Sequence, residues 1–358
     1  MASVESASLP PGVELPEEVV GTFSVREASR IVADLFTPNP VIYWTDLIVS
    51  SAVAYSATAA VAFLTLPPWA VVCLVLVASL AFYRAASFTH ELSHLRRKGF
   101  AGFRAAWNLL CGIPLMIPAF LYDEHRAHHG RHTYGTHEDG EYLPLGAPPR
   151  QQIFTYLIQP FVAPFAGVLR FGLIFPLSFL HPKLRTLTLE RASALVMDPA
   201  YVRPVPPREE RWSWPLQEAA SFCALAALVI LMSTGILSWW FLLQLYATAV
   251  IALLINAIRT MAAHRFRHPQ RTELAYVDQM LDSVNIPGNW ITTELWAPLG
   301  LRYHALHHLF PAIPYHALGT AHRRLVAQLP ADSLYRQTIS PSLWATLRQL
   351  WRDAGLAR

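Results

Sequence analysis

Four long apolar runs, at about 46–66, 69–88, 219–237 and 239–261, set the plan of the chain. Each is near the ~20 residues that an α-helix needs to cross a bilayer. The first pair is joined only by "PPW" and the second by "STGILSWW" or less, and both links carry no charge. Charge collects instead at the other ends: "RRK" at 96–98, "REERW" at 208–212, "HRFRHPQR" at 264–271 and "HRR" at 322–324. Under the positive-inside rule the two short turns face outward and everything else faces the cytoplasm. The pattern predicts an all-α, multi-pass integral membrane protein: four transmembrane helices in two hairpins under a cytoplasmic helical cap. The segments 105–121 and 153–180 are also apolar, but Pro, Gly and Arg170 break them. They read as helices lying in the interface or dipping into the membrane. Residues 1–40 read as a loosely held cytoplasmic arm with one amphipathic stretch at about 24–36. Residues 41–325 form the membrane domain and 326–358 a cytoplasmic C-terminal segment.

Composition agrees with this plan. Hydrophobic residues make up 53% of the 358 and charged residues only 15%, against roughly 25% charged in soluble proteins. The net charge of +4 is modest and spread out, and no basic surface interleaved with aromatics points to nucleic acid. Cys73, Cys111 and Cys223 lie in apolar stretches without C-x-x-C spacing, so they read as small buried hydrophobes. The first 40 residues show no charged segment followed by an apolar core, which predicts no cleaved signal peptide.

The candidate chemistry lies in histidine. None of the 15 histidines falls inside the four apolar runs. "HELSH" places His90 and His94 just past the second run, with both rings on one helix face. "HRAHH" supplies His125, His128 and His129, "MAAHRFRH" supplies His264 and His268, and "YHALHH" supplies His304, His307 and His308. In H-x-x-H-H the three rings are expected to converge on one side of a helix. His181, His316 and His322 read as ordinary interfacial residues. Three clusters at ligand spacing have no packing explanation, and crowding would penalise their protonation unless a metal kept them neutral. Alone, H-E-x-x-H is the signature of a zinc peptidase, with the glutamate as base. A catalytic zinc takes three protein ligands, which would leave most of these histidines idle. Eight or nine imidazoles instead saturate two metal ions at four or five each.

The boxes "HELSH", "HRAHH" and "YHALHHLFP", in that order and with two runs between the second and third, resemble the membrane fatty acid desaturase superfamily. "HHLFP" followed by "AIPYHAL" is the most specific part. The resemblance implies a four-span, mushroom-shaped fold with a cytoplasmic di-iron site. Carried over by position, it makes His90, His94, His125, His128, His129, His304, His307 and His308 ligands, with His264 as a ninth from the end of the last run. Four residues earlier, where relatives place an asparagine that holds a metal-bound water, this chain has Thr260. H-E-x-x-H in place of H-D-x-x-H looks more like sphingolipid desaturases and alkane hydroxylases. The alkane enzymes, however, have a longer second box and lack H-H-L-F-P.

The implied activity is O2-dependent oxidation of a fatty acyl or lipid chain, with desaturation as the first choice. Lipid or alkane hydroxylation and terminal-alkene formation are the alternatives on the same scaffold, and an intramembrane zinc peptidase is a remote one. An unactivated methylene offers side chains neither an acidic proton nor a leaving group, so a redox metal must do the work. Imidazole spacing leaves Zn, Cu, Fe and Ni open; the family and the reaction select two iron ions. Carboxylates should orient the rings. Glu91, Asp123, Glu124, Glu138, Asp139, Glu141, Asp278 and Asp282 are at hand, with Asp139 and Asp282 preferred. His132 and His137 read as lining a loop over the site. No C-x-x-C and no H-P-G-G occurs, so electrons should come from a separate ferredoxin or cytochrome b5 type carrier and its reductase. The substrate should arrive through an apolar tunnel beside the face that carries Ala252, Asn256, Thr260 and His264.

Overall fold

The computed structural model describes residues 19–20, 23–95 and 100–356; "RRK" at 96–98 and most of the first 22 residues lie outside it. Helix α1 (Val25–Ile31) begins at an N-cap serine, Ser24, whose side chain accepts from the Glu27 N–H. It is the predicted amphipathic stretch, and it is docked. Phe23, Val25, Ala28 and Val32 are buried in one core with Leu306, Leu309, Leu318, Ala321 and Leu325.

The apolar runs fold as long helices that start at helix-initiating residues. Asn39 caps α2 (Pro40–Phe63) through its side chain, with proline at the first helical position. α3 (Pro68–His94) likewise starts on proline and packs along α2 as the first hairpin. It is followed by α4 (Ala101–Trp107), with a π-helical turn at Asn108–Gly112, and by the short α5 (His125–His128). α6 (Gln151–Leu169) passes through a π-helical turn into α7 (Phe175–Ser178) and is followed by α8 (Pro182–Arg191). The second long pair is α9 (Trp214–Ser233) and α10 (Trp240–Ala263). α10 packs chiefly against α3 and α6, and α9 against the π-helical turn of 170–174 and α7.

Among the described residues five helices, rather than four, are long and apolar enough to cross a membrane by length and composition; the additional one is Gln151–Ser178. Its interruptions are absorbed locally. Pro160 and Pro164 sit inside α6, and Arg170 pairs with Glu218 of α9, which Arg185 of α8 also holds. A charge neutralised by a residue 48 positions away does not break a helix, and that pairing is invisible to a local apolar pattern. The segment 105–121 is short helix, π-helical turn and turn, as its broken pattern implies.

Six shorter helices, α11 (Tyr276–Asp282), α12 (Trp290–Trp296), α13 (His304–Leu309), α14 (Tyr315–Gln328), α15 (Leu334–Gln337) and α16 (Leu343–Asp353), follow α10. α14 runs through position 325, and α16 packs against α10. Asn285 ties this part together. Its Oδ1 accepts from the Leu306 N–H at 3.1 Å, and its Nδ2 donates to Thr338 Oγ1 at 2.9 Å, which fixes the start of α13.

Candidate metal centre

The ends of α3 and α10, together with α5 and α13, deliver nine histidines to one place. α3 continues past its apolar run, so His90 and His94 share a face at its last turn. At His264 the backbone leaves α10 for an extended conformation (φ −130°, ψ 161°) and pairs with Ser283. That turn swings the His264 ring inward. The nine fall into two groups, and within each group one nitrogen from every ring lies within 4.8 Å of the others. One is His90, His94, His125, His129 and His307; the other is His128, His264, His304 and His308. The groups abut, with the rings of His129 and His308 4.2 Å apart.

The division follows from helix geometry and corrects the expectation that each H-x-x-H-H box faces one way. Residues i and i+4 lie only about 40° apart around a helix, whereas i+3 lies about 100° from i+4. His125 and His129 therefore stay together while His128 crosses to the other group. His304 and His308 stay together while His307 crosses. Each H-x-x-H-H box contributes to both groups, whereas His90 and His94 stay in one.

The inward nitrogens face one another at hydrogen-bond distance. In the five-histidine group, His129 Nε2 is 3.0 Å from His125 Nε2, and His307 Nε2 is 3.2 Å from those of His94 and His129. In the four-histidine group, His264 Nε2 is 3.2 Å from that of His128 and 2.8 Å from that of His304. The Nε2 of His308 lies 3.2 Å from that of His304.

The outer nitrogens fix the tautomers. His125 Nδ1 is 3.0 Å from both oxygens of Glu141, and His128 Nδ1 is 2.9 Å from Asp139 Oδ2. His264 Nδ1 is 2.9 Å from the Tyr134 hydroxyl and 3.1 Å from Ser283 Oγ. Tyr134 donates its proton to Asp282 Oδ2 and Ser283 donates its own to a carbonyl, so both accept from His264. With Nδ1–H pointing outward, each of these Nε2 atoms turns a lone pair inward. Lone pairs facing each other at 3 Å are unsatisfied until a cation sits between them. Both ring nitrogens of His90, also buried, have no hydrogen-bond partner. The donor set fits two metal ions.

Electrostatics agree. Burial first, then the neighbouring rings, hold His125, His129, His264, His304, His307 and His308 well below the ordinary imidazole range, with Arg259 adding to this for His264 and His304, so they stay neutral. His128 is the exception. Burial pulls it down, but the charge and hydrogen bond of Asp139, with Glu141 and Asp282, outweigh that and raise it. Burial pushes the Glu141 carboxyl up to about 7.

Of the eight carboxylates named from sequence, Asp139 reaches its histidine directly and Asp282 acts through Tyr134. Glu141, not preferred, reaches His125 directly. Glu91 faces away: it accepts from the Tyr43 hydroxyl and from the Tyr315 N–H, and lies 3.9 Å from His90. It ties α3 to α2 and α14 and is not placed as a base. Asp123 and Glu124 pair with Arg104 and Arg203, while Glu138 and Asp278 are exposed. His132 and His137 are exposed on the loop, with His132 3.0 Å from Glu273. His181 is exposed and caps α8, and His316 accepts from the Asn39 N–H. His322 departs from its interfacial reading: it is buried, with Nδ1 2.8 Å from the Tyr335 hydroxyl. The inward face of α14 puts it in the core. Sequence reasoning missed Tyr134, Tyr122 and Ser283. Tyr122 donates to Glu141 Oε2 at 2.9 Å and stacks on His125.

The loop that carries Asp139 depends on Gly135, whose φ of +71° suits glycine. Its N–H donates to Asp139 Oδ2 at 2.9 Å, and the Glu141 N–H holds Oδ1 at 2.9 Å. Asp139→Asn is expected to lower metal affinity about 10- to 100-fold, the usual effect of losing a carboxylate that orients a ligand. Metal titration of the purified variant measures this; affinity equal to the unaltered protein would show that Asp139 does not tune His128.

The fatty acid desaturase family model matches residues 39–340, more than half of the chain. The chain belongs to the fatty acid desaturase family. Among curated proteins, the ceramide hydroxylase of Caulobacter vibrioides (strain NA1000 / CB15N) is 39% identical over 335 residues. That covers 91% of this chain and 93% of the relative. This family member is therefore a lipid-modifying oxidoreductase in type, with histidine groups able to hold metal.

Proposed function

We propose that this protein is a membrane-bound, O2-dependent lipid hydroxylase that acts on a ceramide-class substrate with two iron ions. His90, His94, His125, His129 and His307 would hold one ion, and His128, His264, His304 and His308 the other. The observation that carries this reading is the pair of abutting groups of inward-facing imidazoles. Two bound irons would supply dioxygen activation and attack on an unactivated C–H bond, which no side chain here provides. The chain's own contribution is to hold the rings. Glu141, Asp139 and the Asp282–Tyr134 relay keep Nδ1 protonated and turn Nε2 inward, and burial keeps water from competing. Hydroxylation of a ceramide follows the relative at 39% identity. Electrons would come from a separate ferredoxin or cytochrome b5 type carrier with its reductase, on the cytoplasmic face.

A second reading, desaturation, is favoured by "HHLFP". The two reactions start from the same attacked C–H bond and differ in how the chain is positioned. Lipid mass spectrometry of cells expressing the protein, grown under isotopically labelled O2, separates them. Gain of one labelled oxygen in a ceramide supports hydroxylation; loss of two hydrogens without oxygen moves the assignment to desaturation. No O2-dependent product, with one zinc per chain, would overturn both.

A further inference from the structure

Three arginines interrupt the membrane-length helices. Two are neutralised by carboxylates: Arg84 of α3 by Asp46 at 2.6 Å and Glu294 at 2.8 Å, and Arg170 by Glu218. Arg259 of α10 is different. Its Nη2 donates to Asn256 Oδ1 at 2.8 Å, on the same helix. Its Nε is buried without a partner. Among the described residues no ion pair joins Arg259 to a carboxylate, whereas the other two arginines have theirs.

The position matters as much as the missing partner. At ~1.5 Å of rise per residue, the Arg259 Cα lies roughly 7–8 Å from that of His264 along α10. The nearby carboxylate of Glu141 is already engaged with His125 and Tyr122. Tyr83 of α3 and Tyr156 of α6, the helices packed against α10, are both buried. Arg259 thus lies about one and a half turns before His264 on α10, the helix that packs against α3 and α6, on the side from which a membrane lipid would come.

Ionisable residues in membrane helices mark substrate paths and pair with something. A guanidinium carries only donors, so the missing partner is an oxygen acceptor. Asn256 has its Oδ1 taken by Arg259, which leaves its NH2 to donate to the same group. We infer that Arg259 and Asn256 bind an oxygen acceptor at the functionalised end of the lipid substrate, the amide carbonyl of an N-acyl lipid, and so place oxidation within a few carbons of that group. Both are positioning residues. This inference rests on the proposed lipid oxidation for its substrate, and it sets where along the chain that oxidation falls.

The test uses iron-loaded protein in membranes and in detergent with three probes: an N-acyl sphinganine, the free fatty acid of equal chain length and the matching alkane. Arg259→Gln should keep its iron, raise the KM for the N-acyl lipid by ~10-fold or more, as loss of a charged hydrogen bond does, and spread the oxidised position along the chain. Arg259→Lys should restore part of both. Unchanged KM and product position in Arg259→Gln, with iron retained, would overturn the inference. So would an equal loss on every probe, which marks a structural role. If Arg259→Gln does not accumulate, Asn256→Ala carries the same test on KM and position. Binding separates this from failure of the proposed activity. The N-acyl lipid should raise the Tm of the unaltered protein, but not of Arg259→Gln, whether or not it is turned over, and the alkane should raise neither. A fatty-acid response that depends on Arg259 without an N-acyl one would keep the subsite and remove the amide. No probe-dependent shift in the unaltered protein would remove the subsite.

Discussion

Replacing His128 with alanine is expected to cut turnover by more than ~100-fold while the chain still accumulates in the membrane. The bound follows from the effect of losing a residue that merely orients a ligand, about 10- to 100-fold; removal of the ligand itself should exceed it. His128 has the strongest case among the nine. It is 3% exposed, is held by Asp139 at 2.9 Å, and faces His264 at 3.2 Å. Its group has only four histidines, so one loss opens a quarter of that set. Asp139 would keep the Gly135 and Glu141 N–H groups, so the carboxylate is not left bare and the fold should survive. Metal per chain, turnover and the membrane-bound fraction check the three parts. Near-normal turnover with full metal content would remove His128 from the site.

How far the sequence foretold this protein depends on how local the cause was. The three boxes, the position of His264 and the long helices α2, α3, α9 and α10 all rest on patterns within a few residues. These are the features on which expectation and structure agree in place. Gln151–Ser178 was obscured because its continuity depends on Glu218, and no window around Arg170 contains that residue. The docking of α1 was likewise hidden, since its partners Leu306, Leu318 and Leu325 lie nearly three hundred residues away.

Within the site the same rule holds. Spacing correctly put i and i+4 together, but treating i+3 as equivalent ignored the angle that sends His128 and His307 across to the neighbouring group. Asp139 was legible as a carboxylate ten residues after a histidine box. Tyr134 was not, because a tyrosine in "HTYGTHEDG" has no signature until Asp282 and His264 close on it from another part of the chain. Its usable signal was chemical: an acid that bonds none of the nine histidines directly needs a relay.

His264→Ala and His268→Ala should differ sharply, although the two residues are one helical turn apart in sequence. His264 is 2% exposed, and its Nε2 meets those of His128 and His304 while Tyr134 and Ser283 hold Nδ1. Its loss should lower turnover and metal content as His128→Ala does, by more than ~100-fold in turnover. His268 lies past the extended residue that ends α10 and ahead of Pro269, which biases it away from helix. Its side chain is 30% exposed, its Nε2 is 4.0 Å from Asp282 Oδ1, and it belongs to neither histidine group. A part-exposed side chain at that distance contributes within about 0.5 kcal/mol, so His268→Ala should stay within about twofold of normal turnover. The comparison also guards against a general effect of disturbing this segment, because both variants alter the same stretch of backbone. Equal losses of metal and activity in the two would mean that the segment, and not the His264 ring, is what the site requires.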